Sequence, residues 1–164
     1  MTYIYLMRHG IATDRDLSTD DRERELTPEG RTKTRAVAEK LKDLGLACDL
    51  ILTSPLVRAR QTAQILSDCF HATPLLVVDW LAPEGNFNDW ETWLNQPEVP
   101  NAVFFVGHEP DLSMGTELMV WGQVSGNILL KKAGVVGLVR HPDRPVRGSC
   151  TLFLLVPPKI LLGK

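Results

Sequence analysis

The sequence predicts an α/β fold built on a mostly parallel sheet, and two observations carry that expectation. Strand and helix signals alternate along most of the chain, the pattern left by βα units. The first strand, Tyr3–Met7, is a short apolar run rich in β-formers that ends in Arg8-His9-Gly10. An imidazole and a guanidinium are thereby placed at the carboxyl edge of a sheet, where open α/β folds bind their ligands. Gly10 is expected to allow close approach of backbone to a ligand, or an unusual turn. Any one tripeptide turns up by chance in about one chain of this length in fifty, so its weight rests on what converges with it.

The remaining elements follow in order. Thr27-Pro28 supplies an N-cap hydroxyl and a proline at the first helical position, and Val37, Leu41 and Leu44 repeat at helical spacing up to Gly45, which predicts a helix over Pro28–Leu44. Asp49–Thr53 reads as a second strand. Ser54-Pro55 repeats the cap-plus-proline signal, with Leu56, Ala59, Ala63 and Leu66 on one apolar face of a second helix. Pro74–Trp80 reads as a third strand, Phe87–Leu94 as a short helix closed by Pro97 and Pro100, and Ala102–Val106 as a fourth strand. His108-Glu109-Pro110 opens a helix that runs to Val120. Gly134–Val139 and Cys150–Val156 then read as two strands joined by a turn at Pro142-Asp143-Arg144-Pro145. Asp14–Glu25 holds nine charged residues in twelve, the pattern of a solvated loop; following His9 so closely, it is also placed to rim a pocket.

At 164 residues and 44% apolar content, the chain suits one domain over 1–164 that buries roughly 70% of its unfolded surface. A net charge of −2 argues against a broad nucleic-acid surface, so any anion site must be local. Cys48, Cys69 and Cys150 are odd in number and lack CxxC spacing, as expected of buried free thiols in a reducing compartment. No apolar stretch approaches the roughly 18 residues of a membrane span, and a cytoplasmic location with no membrane partner is expected.

Three segments share one grammar of strand, polar residue, then helix or loop: Arg8-His9-Gly10; Ser54-Pro55 followed by Arg58-Ala59 and Gln61-Thr62; and Gly107-His108-Glu109-Pro110. Together with Arg24 and Glu25-Leu26-Thr27-Pro28-Glu29-Gly30 before the first long helix, they resemble the histidine phosphatase superfamily, of phosphoglycerate mutase-like fold. The resemblance runs over about Tyr3–Trp121. It implies a three-layer α/β/α sandwich around a mostly parallel sheet. It also implies a phosphatase in which His9 is the nucleophile, Arg8 and Arg58 bind phosphate oxygens, and His108 donates a hydrogen bond to the phosphoryl group.

Phosphoryl transfer suits these residue types. It needs an in-line nucleophile and cations around the equatorial oxygens. A histidine attacks only when one ring nitrogen is unprotonated, and Arg8 and Arg58 are expected to oppose its protonation while their planar forks grip phosphate. Arg58, in the first turn of its helix, also lies where free backbone N–H groups favour an anion. With arginines supplying the positive charge, no metal or other cofactor is expected. His9 is expected to face solvent at its strand end.

Ordinary roles compete at each position. Arg60 reads as a surface arginine, His71 and His141 as surface residues, and Lys131 and Lys132 as solvated lysines. Ser54 reads as a helix cap, since no G-x-S-x-G elbow surrounds it, and His108 could cap the helix that follows it. Glu84 is the nearest match to the family's general acid, displaced by one residue from the mutase pattern, with Asp14, Asp16 and Asp111 as substitutes. A weak acid suits an N-phosphorylated imidazole, whose P–N bond breaks readily once the ring is protonated. The short segment between the third and fourth strands leaves little chain for a lid. Both features are similar to the compact SixA-type branch, which implies a phosphohistidine-bearing signalling protein as substrate. A phosphatase of small phosphorylated metabolites is the alternative, and a non-catalytic phosphoprotein-binding module a third reading.

Overall fold

The computed structural model describes residues 1–164 and shows a three-layer α/β/α sandwich around one six-stranded sheet. The strands are β1 (Thr2–Arg8), β2 (Leu50–Thr53), β3 (Leu75–Val77), β4 (Ala102–Gly107), β5 (Val135–Arg140) and β6 (Thr151–Val156). The helices are α1 (Pro28–Asp43), α2 (Val57–Cys69), α3 (Phe87–Leu94), α4 (Asp111–Trp121) and α5 (Pro158–Leu162). The strand order is β3-β2-β4-β1-β5-β6. The first four of these pair in parallel, and β5 and β6 continue the sheet antiparallel.

Side-chain alternation divides the sheet into two faces. Tyr5, Met7, Ile51, Phe104 and Val106 pack against α1 and α2 through Val37, Leu41, Ala63 and Leu66, with Leu161 and Leu162 of α5 alongside. Ile4, Leu6, Leu52, Val103 and Phe105 pack against Trp90 and Leu94 of α3 and Leu112 and Met119 of α4. Strand β4 is covered on both faces and buried throughout, as a central parallel strand should be. No helix is long and apolar enough to cross a membrane.

Four expectations need correction. The third strand is only Leu75–Val77; Asp79–Leu81 instead form a 3₁₀ turn, because Trp80 swings in to meet Phe105 at a ring separation of 5.3 Å. Helix α2 starts at Val57, after a Leu56 N-cap that makes no side-chain cap bond, so Ser54 does not cap it. Helix α4 starts at Asp111 behind Pro110, which leaves His108 outside the helix. The β5–β6 connection spans residues 141–150 and is longer than a tight turn. All three cysteines are free; Cys69 and Cys150 are buried and Cys48 half-buried.

Strands β1, β2 and β4 run in parallel, so Arg8, Thr53 and Gly107 end at one edge of the sheet. The chain passes from β1 to β2 while β4 inserts between them, and the segments leaving β1 and β4 open a crevice at that edge.

Candidate active site

Three backbone bonds fix the floor of this crevice. The His9 N–H donates to Gly107 O (3.0 Å), the Ser54 N–H to Val106 O (3.0 Å) and the Arg8 N–H to Gly134 O (3.2 Å). Gly10 is needed for close packing against α1 rather than for a ligand: a Cβ there would lie 2.3 Å from Thr34 Oγ1. Its N–H donates to Thr62 Oγ1 (3.0 Å), whose hydroxyl donates to Arg58 O (2.8 Å). Thr62 therefore ties the end of β1 to the first turn of α2.

His9 is 6% exposed, not solvent-facing as expected, and its two ring nitrogens have different partners. Nδ1 lies 2.7 Å from Gly10 O, and Arg58 Nε lies 3.3 Å from Nε2. A carbonyl can only accept and an arginine Nε can only donate, so Nδ1 carries the proton and Nε2 the lone pair. Burial lowers the His9 pKa to about 3; the hydrogen bond to the Gly10 carbonyl opposes it, and the charges of His108, Arg58 and Arg8 add smaller downward pushes. The expectation credited the arginines alone; desolvation is the larger cause.

His108 is 3% exposed, with its ring centroid 5.2 Å from that of His9. Its Nε2 lies 2.7 Å from Ser54 Oγ, and that oxygen accepts from the Leu56 N–H at 3.2 Å. Burial first, then Arg58 and Arg8, lowers the His108 pKa to about 4 despite the opposing charge of Asp21. Its Nδ1 is buried with no hydrogen-bond partner, and so is Nε of Arg8. Arg8 Nη1 donates to Leu130 O (3.0 Å), and its charge is felt by both imidazoles. These two buried nitrogens, His108 Nδ1 and Arg8 Nε, have no partner within the protein and are available to hydrogen-bond an anion.

Part of the charged Asp14–Glu25 segment covers this site. Arg58 Nη1 donates to Asp21 O (2.8 Å), and Arg58 Nη2 lies 3.3 Å from Asp21 Oδ2. Arg24 Nε donates to the other carboxylate oxygen at 2.8 Å and its Nη1 to Thr13 O at 2.7 Å. Burial pushes the Asp21 carboxyl up, but Arg58, Arg24 and Arg15 outweigh it and hold the group below its usual range. Gln61 anchors the far end of the segment by accepting from the Leu26 N–H (2.8 Å) and donating to Glu25 (2.9 Å).

The structure thus brings His9, Arg58 and His108 into one cluster with Arg8 beside it, and leaves Glu84 out. Glu84 is exposed and held through its backbone, its N–H donating to Asp111 Oδ2 (2.8 Å). No carboxyl group hydrogen-bonds to either imidazole, and Asp14 and Asp16 are exposed. No three His, Cys, Asp or Glu side chains cluster as metal ligands. Arg60 and His71 are exposed and His141 is half-buried. Sequence reasoning missed Asp21, Arg24 and Thr62 as site residues; the motif positions of Arg24 and Thr62 were the available signal.

A family model described as the histidine phosphatase superfamily (branch 1) matches residues 4–102. An uncharacterized protein of Picosynechococcus sp. is 43% identical over 162 residues, covering 97% of this chain and 98% of that protein. A 2,3-bisphosphoglycerate-dependent phosphoglycerate mutase of Bartonella henselae is 35% identical over 99 residues, covering 58% of this chain and 48% of the mutase. Among solved structures, the protein histidine phosphatase SixA complexed with tungstate superposes with a TM-score of 0.85 at 23% identity, covering 98% of this chain and 99% of that one. A likeness at that identity establishes the fold.

Proposed function

Because the chain belongs to the histidine phosphatase superfamily, we propose that it hydrolyses phosphohistidine on a protein through a covalent phospho-His9 intermediate. The observation that carries this reading is the fixed tautomer of His9, with a bare Nε2 beside the Arg58 guanidinium. Nε2 attacks phosphorus; the new P–N bond to His9 forms as the P–N bond of the substrate breaks. The released imidazole leaves neutral when its other ring nitrogen already carries a proton. Arg8 and Arg58 hold the equatorial oxygens, with Arg58 exchanging Asp21 for the phosphoryl group.

His108 Nδ1 supplies one more contact. If the Ser54 hydroxyl donates to Nε2, the ring proton sits on Nδ1 and points to a phosphoryl oxygen. Water then attacks the phosphorus of phospho-His9. Nδ1 has kept its proton on Gly10 O throughout, so His9 leaves as a neutral imidazole and needs no acid. Phosphate and one proton are released. The lack of a carboxyl group on either imidazole favours an N-phosphorylated imidazole over an ester, whose alkoxide must be protonated as it leaves. Arginines supply the positive charge, so the reaction proceeds without a metal ion.

Steady-state kcat/KM on a phosphohistidine protein, set against sugar and acyl phosphates and measured with and without a chelator, tests the proposal. Preference for phosphohistidine, unchanged by the chelator, is the expected outcome. Preference for esters would replace it with the metabolite reading, and loss of activity restored by a divalent ion would refute the metal-free scheme.

A further inference from the structure

Arg8, whose charge is felt by both imidazoles, also lines a cavity of about 540 Å³. Lys33 of α1, Lys131 and Lys132 of the loop before β5, and Lys159 of α5 share that cavity. A second cavity of about 560 Å³ adjoins it through Lys33, Pro158 and Lys159 and ends at Lys164. Six of the eighteen basic residues of a chain with net charge −2 therefore line one continuous groove, in which Glu29 is the lone acid.

Apart from Arg8, the cations of the groove are five lysines, which form no ion pair within the protein; every ion pair is made by an arginine. Isolated solvated lysines are ordinary surface. Lysines gathered from α1, the loop before β5 and α5, with Glu29 as the single acid among them, repel one another and focus a positive potential along the groove. The lining is also apolar in part: Ile11 and Pro157 contribute to it, and Ile160 is 70% exposed. Its extent over two cavities and its mixed lining suit a polypeptide with acidic and aliphatic side chains better than a compact inorganic anion.

We propose that this groove docks an acidic segment of the phosphorylated partner protein, alongside the phosphohistidine that enters the His9 site past Arg8. The assignment rests on the phosphohistidine reading above and adds the partner's chemistry: acidic and aliphatic residues beside the modified histidine. Substrates with such flanks gain in encounter rate and affinity, and that gain falls as salt rises.

The test combines Lys131→Gln, Lys132→Gln and Lys159→Gln, all at exposed positions. Calorimetry measures binding of a short unphosphorylated peptide with a histidine flanked by Glu and Leu, of its Gln counterpart, and of inorganic triphosphate. Kinetics compare the phosphorylated Glu peptide with phosphoramidate. Each partly exposed charge pair contributes roughly a factor of two. The triple variant should therefore lose about eightfold in affinity and in kcat/KM for the Glu peptide, less at high salt, with phosphoramidate turnover unchanged. Equal turnover of the Glu peptide by variant and wild type would overturn the groove assignment and leave the phosphatase reading standing. So would equal binding of the Glu and Gln peptides, or a preference for triphosphate over peptide. Charge-dependent peptide binding by a wild-type enzyme that cleaves neither phosphorylated compound would uphold the groove and overturn the phosphatase reading.

Discussion

Asp21→Asn should tighten binding of inorganic phosphate, because the cation that phosphate needs is already occupied. Arg58 is 3% exposed and lies 3.3 Å from the Asp21 carboxylate. Coulomb's law at an effective dielectric of about 20 gives roughly 5 kcal/mol for unit charges at that separation. The Asp21 side chain is 39% exposed and shares its charge with Arg24 and Arg15. Solvent screening and the entropy of ordering two side chains reduce the net value to about 1 kcal/mol. Asparagine keeps the shape and can still accept from arginine, so the change removes charge and little else. The expected result is a phosphate Kd about fivefold lower than wild type, read by isothermal titration calorimetry at low ionic strength, with a smaller gain at high salt. Weaker or unchanged binding would show that Asp21 holds Arg58 in position instead of competing for it.

Three further outcomes follow from the same geometry. Burial lowers His9 to about 3 and His108 to about 4, whereas an unfolded imidazole titrates near 6.5. Between those values the unfolded chain binds the extra protons, so stability rises with pH across about 3 to 6.5 and is fully present above it. Imidazole nitrogen NMR should find both rings neutral at pH 5, and a charged ring at pH 6 would contradict the account. Gly10→Ala pushes a Cβ to 2.3 Å from Thr34 Oγ1 and should cost about 1–3 kcal/mol in urea denaturation; Thr34→Ala in the same chain should recover part of it, and simple additivity would count against the steric cause. Ser54→Ala strips the partner from His108 Nε2, and thermal unfolding should register about 1–3 kcal/mol of lost stability together with slower turnover; an unchanged midpoint would mean that the bond contributes nothing.

Local signals located the strands and three of the four cluster members. Buried parallel strands such as Ala102–Gly107 are continuous apolar runs, and the polar residue that ends such a run must lie at the sheet edge, which is how His9, Arg8 and His108 are readable. Arg58 depended on its motif position, since one helix-surface arginine looks like another. What depends on distant pairing was not readable. Asp21 and Arg58 stand 37 positions apart, and Ser54 meets a histidine 54 positions away, so a rule that looks only three residues ahead made Ser54 a cap. The third strand was overread because Pro74–Trp80 is rich in β-formers, whereas only Leu75–Val77 find partners on β2. The tautomer of His9 is a property of two atoms placed by the fold, Gly10 O and Arg58 Nε, and no residue pattern encodes it.

The account stands or falls on whether Nε2 of His9 accepts a phosphoryl group. Rapid quench of the enzyme with a ³²P-labelled phosphohistidine substrate, followed by peptide mapping under alkaline conditions, measures this directly. The expected result is acid-labile phosphate on the peptide containing His9, formed and lost at rates that match turnover and absent in His9→Ala. Turnover with no label on that peptide, or full activity in His9→Ala, would contradict it.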